Sequence, residues 1–165
     1  NISIKANIPE NEKTIILRGF SKSYAMTGWR LGYAAGPEEI IQQMIKLQQY
    51  TFVCAPSPLQ SAALTAMDLS VEQAAAEYET KRNLIYNNLK DAFDVVKPQG
   101  AFYIFPKVPK GQSAADFAAK AIENNVLIIP GNVFSERDTH FRISYATTNE
   151  KIVEGAKILR KLAGK

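Results

Sequence analysis

The sequence predicts an α+β domain in which helices pack on a small sheet, and three observations favour this class. After about Ser70, the predicted elements follow in the order helix, strand, helix, strand, strand, helix. The candidate strands are short apolar runs bounded by glycine and proline, so the sheet they form is small. Hydrophobic residues make up 46% of the 165 residues and charged residues 22%, which is enough apolar material for a core.

The first part of the chain is predicted to contain two short strands followed by two helices. The polar stretch 7–13 contains Pro9 and predicts a surface loop, whereas the apolar, β-branched run 14–17 is typical of a buried strand. A second strand over 31–36 ends at Gly36-Pro37, where a proline followed by two glutamates favours a helix start. The predicted helices span 37–48 and 59–69, and Ser57 is the predicted N-cap of the second.

The second part contains clearer start and stop signals. Ser70 and Gln73 have capping-box spacing at the start of a long helix that reaches Leu89. Ser113 is the predicted N-cap of the next helix. The predicted strands are 101–105, 126–129 and 141–145, and the predicted helices are 70–89, 114–125 and 150–162.

Composition argues against several classes of function. The net charge is +4, but the basic residues are scattered and form no block, which disfavours a nucleic-acid or membrane surface. No apolar run approaches the roughly 18 residues that span a bilayer. Cys54 is the only cysteine, so an intrachain disulfide is excluded and a reducing compartment is favoured. His140 is the only histidine, and no metal site or histidine-based triad is predicted.

The most informative feature is the run from Phe20 to Tyr33, which reads FSKSYAMTGWRLGY. Lys22 follows a predicted strand and lies in a turn of small residues, where an amine can serve as both nucleophile and base. Arg30 offers a planar fork of donors that suits phosphate oxygens. Gly28 and Gly32 beside it allow a close approach of backbone atoms. Trp29 is interpreted as a packing residue.

This run closely resembles the cofactor-lysine motif of the class I/II aminotransferases, the fold-type I enzymes that use pyridoxal 5′-phosphate (PLP). The resemblance implies that Lys22 is the catalytic residue and binds the cofactor covalently, and that Arg30 binds the cofactor phosphate. Related enzymes often have a serine three residues before the lysine. Gly19 occupies that position here, so Arg30 is the phosphate contact that the resemblance assigns.

Weaker resemblances extend over most of the chain. The run 99–106 is similar to the family's Gly-Ala-Phe-Tyr strand at the substrate mouth, and Ile129-Pro130-Gly131 is similar to its Pro-Gly loop. The strand 141–145 resembles the one whose arginine binds the substrate α-carboxylate, which implies that role for Arg142. The segment 51–58 resembles a loop that approaches the partner subunit's cofactor in family dimers, and an ordinary interhelical loop is an equally good interpretation.

The resemblance also predicts the domain organisation. Residues 1–69 correspond to a remnant of the large α/β PLP-binding domain that carries the cofactor lysine, and residues 70–165 to the C-terminal small domain. In the family an acid in an Asp-Glu-x-Tyr context precedes the lysine. Only Glu10 and Glu12 precede Lys22 here, and neither has that context. We therefore expect a C-terminal fragment of an aminotransferase that is inactive alone.

The function implied for the full-length parent is that of an amino-acid:2-oxo-acid aminotransferase, similar to aspartate aminotransferases. Its partners would be an amino acid, a 2-oxo acid and a second copy in a homodimer, and it would act in cytoplasmic amino-acid biosynthesis. Two alternatives stay open. One is another fold-type I PLP enzyme, a C–S lyase or a cyclopropane-forming synthase. The other is a non-catalytic α+β module that binds a protein or a small ligand.

Overall fold

The computed structural model describes residues 14–165. The predicted loop over 7–13, with Glu10 and Glu12, lies outside the described residues. The chain divides into two compact units, Asn1–Ala74 and Ala75–Lys165. Helix, strand and turn are mixed in both, which agrees with the predicted α+β class.

The first unit contains a β-hairpin and two helices. Strands β1 and β2 are antiparallel, and their register pairs Arg18 with Tyr33 and Gly19 with Gly32. A small apolar cluster is buried in this unit, consisting of Phe20, Leu31, Ala63 and Ala66. The elements are β1 (Ile16–Gly19), a 3-10 turn (Thr27–Trp29), β2 (Gly32–Ala35), α1 (Glu38–Thr51) and α2 (Ser57–Met67).

The second unit packs helices on a three-stranded antiparallel sheet of order β3-β5-β4. The central strand, β5, pairs through Ile143 with Ile104 of β3 and through Arg142 with Ile129 of β4. Helix α3 begins at Glu72, just before the boundary between the units, and continues into the second. The elements are α3 (Glu72–Leu89), β3 (Tyr103–Ile104), α4 (Ala114–Glu123), β4 (Ile129–Pro130), a 3-10 turn (Gly131–Val133), β5 (Phe141–Ser144) and α5 (Asn149–Leu162).

The main core lies on one face of this sheet. Phe141, Ile143 and Tyr145 alternate along the β5 segment and are almost fully buried, because side chains of a strand point to opposite faces in turn. Edge-on ring contacts join Phe93 to both Phe117 and Phe141. Helices α3, α4 and α5 supply most of the other core residues, including Ile85, Leu89, Phe117, Ala121, Ile152, Ala156 and Leu159.

The capping predictions have mixed outcomes. Ser113 is confirmed as an N-cap, since its hydroxyl accepts a hydrogen bond from the Asp116 N–H. The Ser70 hydroxyl likewise accepts from the Glu72 N–H. The prediction for Ser57 is wrong: α2 already includes Ser57, and Pro56 is its N-cap. Thr148, which was not predicted, caps α5.

The last predicted strand before the Pro-Gly loop is displaced. Residues 126–129 were expected to form it, but β4 comprises only Ile129 and Pro130. Asn125 adopts a left-handed conformation, and the Val126 N–H donates to the Ala121 carbonyl. Val126 is therefore part of the C-terminal cap of α4 and does not belong to the strand. Among residues 14–165, no helix is long and apolar enough to cross a membrane.

Candidate active site

The loop that carries Lys22 closes the β1–β2 hairpin. The Phe20 N–H donates to the Leu31 carbonyl at 3.1 Å and so extends the ladder by one bond. Both residues are buried, with 3% and 9% of their surfaces exposed, and they anchor the loop on the small core. The hydrogen bond between Phe20 and Leu31 and the burial of both side chains therefore hold the loop between them at the end of the hairpin.

Internal hydrogen bonds fold this loop tightly. The Ala25 N–H donates to the Lys22 carbonyl at 3.2 Å and makes a turn at the lysine. The Thr27 hydroxyl donates to the Ser21 carbonyl at 2.6 Å. Ala25 has a φ of 54°, an unfavourable value for a residue with a side chain, so the loop stores local strain.

The two predicted cofactor residues lie in this same loop. Lys22 is exposed and occupies the first position of the turn. Arg30 is also exposed and left-handed, with a φ of 51°, and its Nη1 donates to the Thr27 carbonyl at 3.2 Å. An amine and a guanidinium are thus both exposed on one hairpin loop, and these donor types fit a group that carries an aldehyde and a phosphate.

The two glycines of the motif have different environments. A Cβ on Gly32 would lie 2.7 Å from the Arg18 carbonyl oxygen, so the close approach of the two strands requires glycine. A Cβ on Gly28 would have no atom of the described chain within 4 Å. Trp29 is 46% exposed, which contradicts its interpretation as a packing residue.

Arg142 lies in the second unit, on the sheet face opposite the main core. It sits between the buried Phe141 and Ile143 along β5, so its side chain points to the other face. Tyr103 of β3 pairs with Ser144 and lies on that same face. Within residues 75–165, no hydrogen bond or ion pair engages the Arg142 guanidinium.

Two aromatic rings contact the guanidinium instead. Its Cζ atom lies 4.3 Å from the ring centroid of Tyr103 and 4.3 Å from that of Phe134. The sequence interpretation placed Tyr103 in a substrate-mouth strand but missed Phe134. The only sequence feature that points to Phe134 is that an aromatic residue follows the Pro-Gly loop closely. Its contact with Arg142 depends on how the chain turns after β4.

Gly131 fixes that turn. Its N–H donates to the His140 carbonyl at 2.7 Å, and a Cβ at this position would lie 2.7 Å from the same oxygen. The 3-10 turn then ends at Phe134, whose N–H donates to the Gly131 carbonyl at 2.9 Å. The Pro-Gly loop thereby holds Phe134 beside β5.

The buried Tyr145 holds the residues that precede β3 in place through two hydrogen bonds. Its hydroxyl donates to the Ala101 carbonyl at 2.9 Å, and its N–H donates to the Phe102 carbonyl at 3.0 Å. Ala101 has a φ of 61°, so these bonds hold a strained turn just before Tyr103. Burial raises the pKa of the Tyr145 hydroxyl above its usual value.

Comparison with known proteins identifies the family. Residues 2–159 match the family described as aminotransferase class I and II. The chain belongs to this family. The hairpin with Lys22 and Arg30 and the sheet with Arg142 both lie within the matched residues.

Individual aminotransferases are similar along almost the whole chain. A probable aspartate aminotransferase of Methanocaldococcus jannaschii is 45% identical over 92% of this chain, and aromatic-amino-acid aminotransferase 2 of Thermococcus litoralis is 40% identical over 92%. The crystal structure of an aromatic aminotransferase from Pyrococcus horikoshii matches 91% of the chain with a TM-score of 0.84 and 38% identity. These matches cover 43%, 41% and 43% of the respective proteins, so the aminotransferase chain described here spans less than half of their length.

Proposed function

We propose that this chain is the C-terminal portion of a longer PLP-dependent aminotransferase, called here the parent enzyme, which transfers an amino group between an amino acid and a 2-oxo acid. The observation that carries the proposal is the hairpin loop that presents Lys22 and Arg30 together in a chain of the aminotransferase family. The relatives named above include proteins named for aspartate and for aromatic amino acids, so the proposed substrate class is amino acids in general.

In this proposal Lys22 and Arg30 hold the cofactor. The Lys22 amine binds it covalently, and the Arg30 guanidinium binds its phosphate through charge-assisted hydrogen bonds. PLP, when bound, withdraws electrons from the substrate Cα. With PLP bound and the amino acid in place of Lys22, the free Lys22 amine would accept the proton from the substrate Cα and pass it to cofactor C4′, and in the second half-reaction it would carry a proton back to the Cα of the new amino acid.

Arg142 is proposed to bind the substrate α-carboxylate. A guanidinium and a carboxylate form two parallel hydrogen bonds, and this pairing fixes orientation as well as position. The lack of any anionic partner for Arg142 within residues 75–165 supports this role, because a partly buried guanidinium is costly without one.

The parent enzyme is further proposed to be a cytoplasmic homodimer, and the 165-residue chain to be inactive by itself. The second point rests on the acid that the resemblance expects ahead of Lys22 in an Asp-Glu-x-Tyr context, since only Glu10 and Glu12 precede Lys22 here and neither has that context. Without an acid at the cofactor ring nitrogen, the ring withdraws electrons less strongly.

A product assay tests the reaction class. The parent enzyme, given an amino acid, a 2-oxo acid and PLP, should form a new 2-oxo acid and a new amino acid in equal amounts. The Lys22→Ala variant and the 165-residue chain should form neither at a measurable rate. Release of ammonia or a thiol by the parent would contradict the proposal and favour a lyase instead.

A further inference from the structure

The aromatic contacts of Arg142 leave only part of its guanidinium accessible. The planar group has two faces and an edge, and all its N–H donors lie in the plane and point outward from the edge. The Cζ atom lies over the rings of Tyr103 and Phe134, at 4.3 Å from each centroid, a distance typical of cation–π contacts. Such contacts use no N–H donor, so the donors stay available for a carboxylate, which pairs with them in the guanidinium plane.

The two rings are themselves held in place by neighbours. Tyr103 contacts Phe102 at a centroid distance of 4.4 Å. Phe134 meets Phe105 edge-on at 6.5 Å, and Phe105 stacks on His140 at 5.4 Å with an interplanar angle of 8°. Phe102 and Phe105 flank β3 and His140 directly precedes β5, so the two rings are held by residues at the ends of the sheet strands.

The rings also replace a counter-ion. Elsewhere in the second unit, Arg82 pairs with Glu79 at 2.7 Å, and such a pair occupies the donors that a ligand would need. Aromatic rings stabilise a cation by their quadrupole and consume no N–H donor. Arg142 is thus stabilised as a cation while its full set of in-plane donors is kept for a ligand.

We propose that Tyr103 and Phe134 are positioning residues that fix the plane of the Arg142 guanidinium and thereby set how tightly a substrate carboxylate binds. This inference rests on the proposed function, since it assumes that Arg142 binds the carboxylate. A long arginine side chain that is already fixed loses less conformational entropy when the ligand binds. The effect falls on binding more than on the chemical step, because the carboxylate is bound in both the ground state and the transition state.

Single and double variants of the parent enzyme test the proposal. Tyr103→Leu and Phe134→Leu should each raise the KM for the amino acid by roughly tenfold and leave kcat nearly unchanged. Tyr103→Phe retains the ring and should have a KM close to that of the unmodified enzyme. In an Arg142→Ala background, Tyr103→Leu should cause no further increase in KM, because its effect acts only through the guanidinium.

Tyr86→Leu is the matched control. Lys97 lies 5.8 Å from the Tyr86 ring centroid, and Tyr86 packs on the same core, so this variant removes an aromatic–cation contact and some packing elsewhere in the unit. It should leave KM unchanged.

A second measurement uses the 165-residue chain: the Arg142 Nε–H proton resonance should be shifted upfield by the two rings and should move downfield in Tyr103→Leu and in Phe134→Leu.

The outcomes separate the two proposals. If Arg142→Ala raises KM but neither leucine variant does, the positioning role is wrong and the proposed function stands. If Arg142→Ala leaves KM unchanged, the carboxylate role of Arg142 is wrong, and the positioning role falls with it. Equal increases in KM for Tyr86→Leu and the two leucine variants would show general loss of packing and overturn the positioning role.

Discussion

Among residues 14–165, Arg142 has no anionic partner, which is unusual on a partly buried strand, and two aromatic rings stabilise it there. Lys22 and Arg30 are exposed on a strained hairpin loop instead. Charged side chains that are exposed on a strained loop, or that contact aromatic rings on a strand, are typical of ligand-binding sites.

Replacement of Arg142 by alanine in the parent enzyme should weaken amino-acid binding. Each charge-assisted hydrogen bond contributes about 1.5–3 kcal/mol, so loss of a bidentate pair should raise KM at least about a hundredfold. Arg142→Lys retains the charge but not the fork and should be intermediate. Steady-state kinetics measure both effects, and cofactor absorbance should be the same in each variant. An unchanged KM in Arg142→Ala would show that another group binds the carboxylate.

The sequence predicted these three residues but not their surroundings. Lys22 and Arg30 stand in a contiguous motif whose residue types are themselves the chemical signal. Phe134 is separated from Arg142 by a turn and an irregular segment, and only the fold brings them together. The exposure of Gly28 and Trp29 could not be predicted from the sequence either, because exposure at a hairpin tip depends on the path of the loop rather than on residue type.

At the level of elements, the second unit depends on a close approach between the Pro-Gly loop and β5. Gly131 makes this approach through a backbone hydrogen bond to His140. The loop also carries Phe134 toward Arg142. A side chain at position 131 would therefore disturb both the sheet edge and the aromatic contact.

Two glycine variants of the 165-residue chain should change stability in opposite directions. Gly131→Ala places a Cβ 2.7 Å from the His140 oxygen and should destabilise the second unit by about 1–3 kcal/mol. Gly155→Ala lies within α5 with Val126 Cγ1 at 4.0 Å, so it should stabilise by up to about 1 kcal/mol through helix propensity. Amide hydrogen exchange in β5 measures both changes. Equal stability of the two variants would contradict the packing described around Gly131.

The N-terminus of α5 should contribute a pH-dependent part of stability. Hydrogen bonds from the backbone N–H of Glu150, and then from the Thr148 hydroxyl, hold the pKa of the Glu150 carboxyl below its ordinary value of 4.5. A carboxyl with a depressed folded-state pKa stabilises the fold above pH 4.5, and this contribution is lost as the pH falls through the folded-state pKa. An NMR titration should therefore place the Glu150 midpoint below 4.5.

The Glu150→Gln variant provides the comparison for that titration. Above pH 4.5 it should be less stable than the unmodified chain, and the difference should shrink at lower pH. A Glu150 midpoint at or above 4.5, or a stability difference that does not depend on pH, would contradict the capping arrangement.

Cap residues were predictable from sequence where the side chain acts locally, and strand limits were not. Ser113 acts on a donor three residues ahead, so the pattern alone contains the interaction. Strand β4 is shorter than its apolar run because Leu127, at 78% exposure, is not part of the buried sheet. Its limits depend on where β5 offers partners, which is a tertiary property.

For the whole molecule, the two units differ in how much core they contain. In the described part of the chain, the first unit buries Phe20, Leu31 and two alanines, while the second buries a cluster of large aromatic and aliphatic residues. Large apolar side chains of the first unit are well exposed, among them Leu17 at 71%, Tyr50 at 82% and Phe52 at 67%. The two compact units meet between Ala74 and Ala75, and the division at residue 69 into a remnant of the large domain and a small domain stays a prediction.

Residues 70–165 should fold as an independent unit. They retain the Ser70 hydroxyl at the start of α3, the three-stranded sheet and the main core. Dispersed NMR spectra and a cooperative thermal transition are the expected results for this segment. Residues 1–74, prepared as the comparison, should show neither, because the core they bury is small. An unfolded 70–165 segment would contradict the proposed domain division.

The most direct test of the central claim is to find which residue binds PLP covalently. The parent enzyme is loaded with PLP, reduced with borohydride, digested and mapped by mass spectrometry, and Lys22→Arg is treated in parallel. The reduced cofactor mass should be found on the peptide containing Lys22 and should be absent from the variant. A label on any other lysine, or an equal label in Lys22→Arg, would contradict the assignment of the active site to this hairpin.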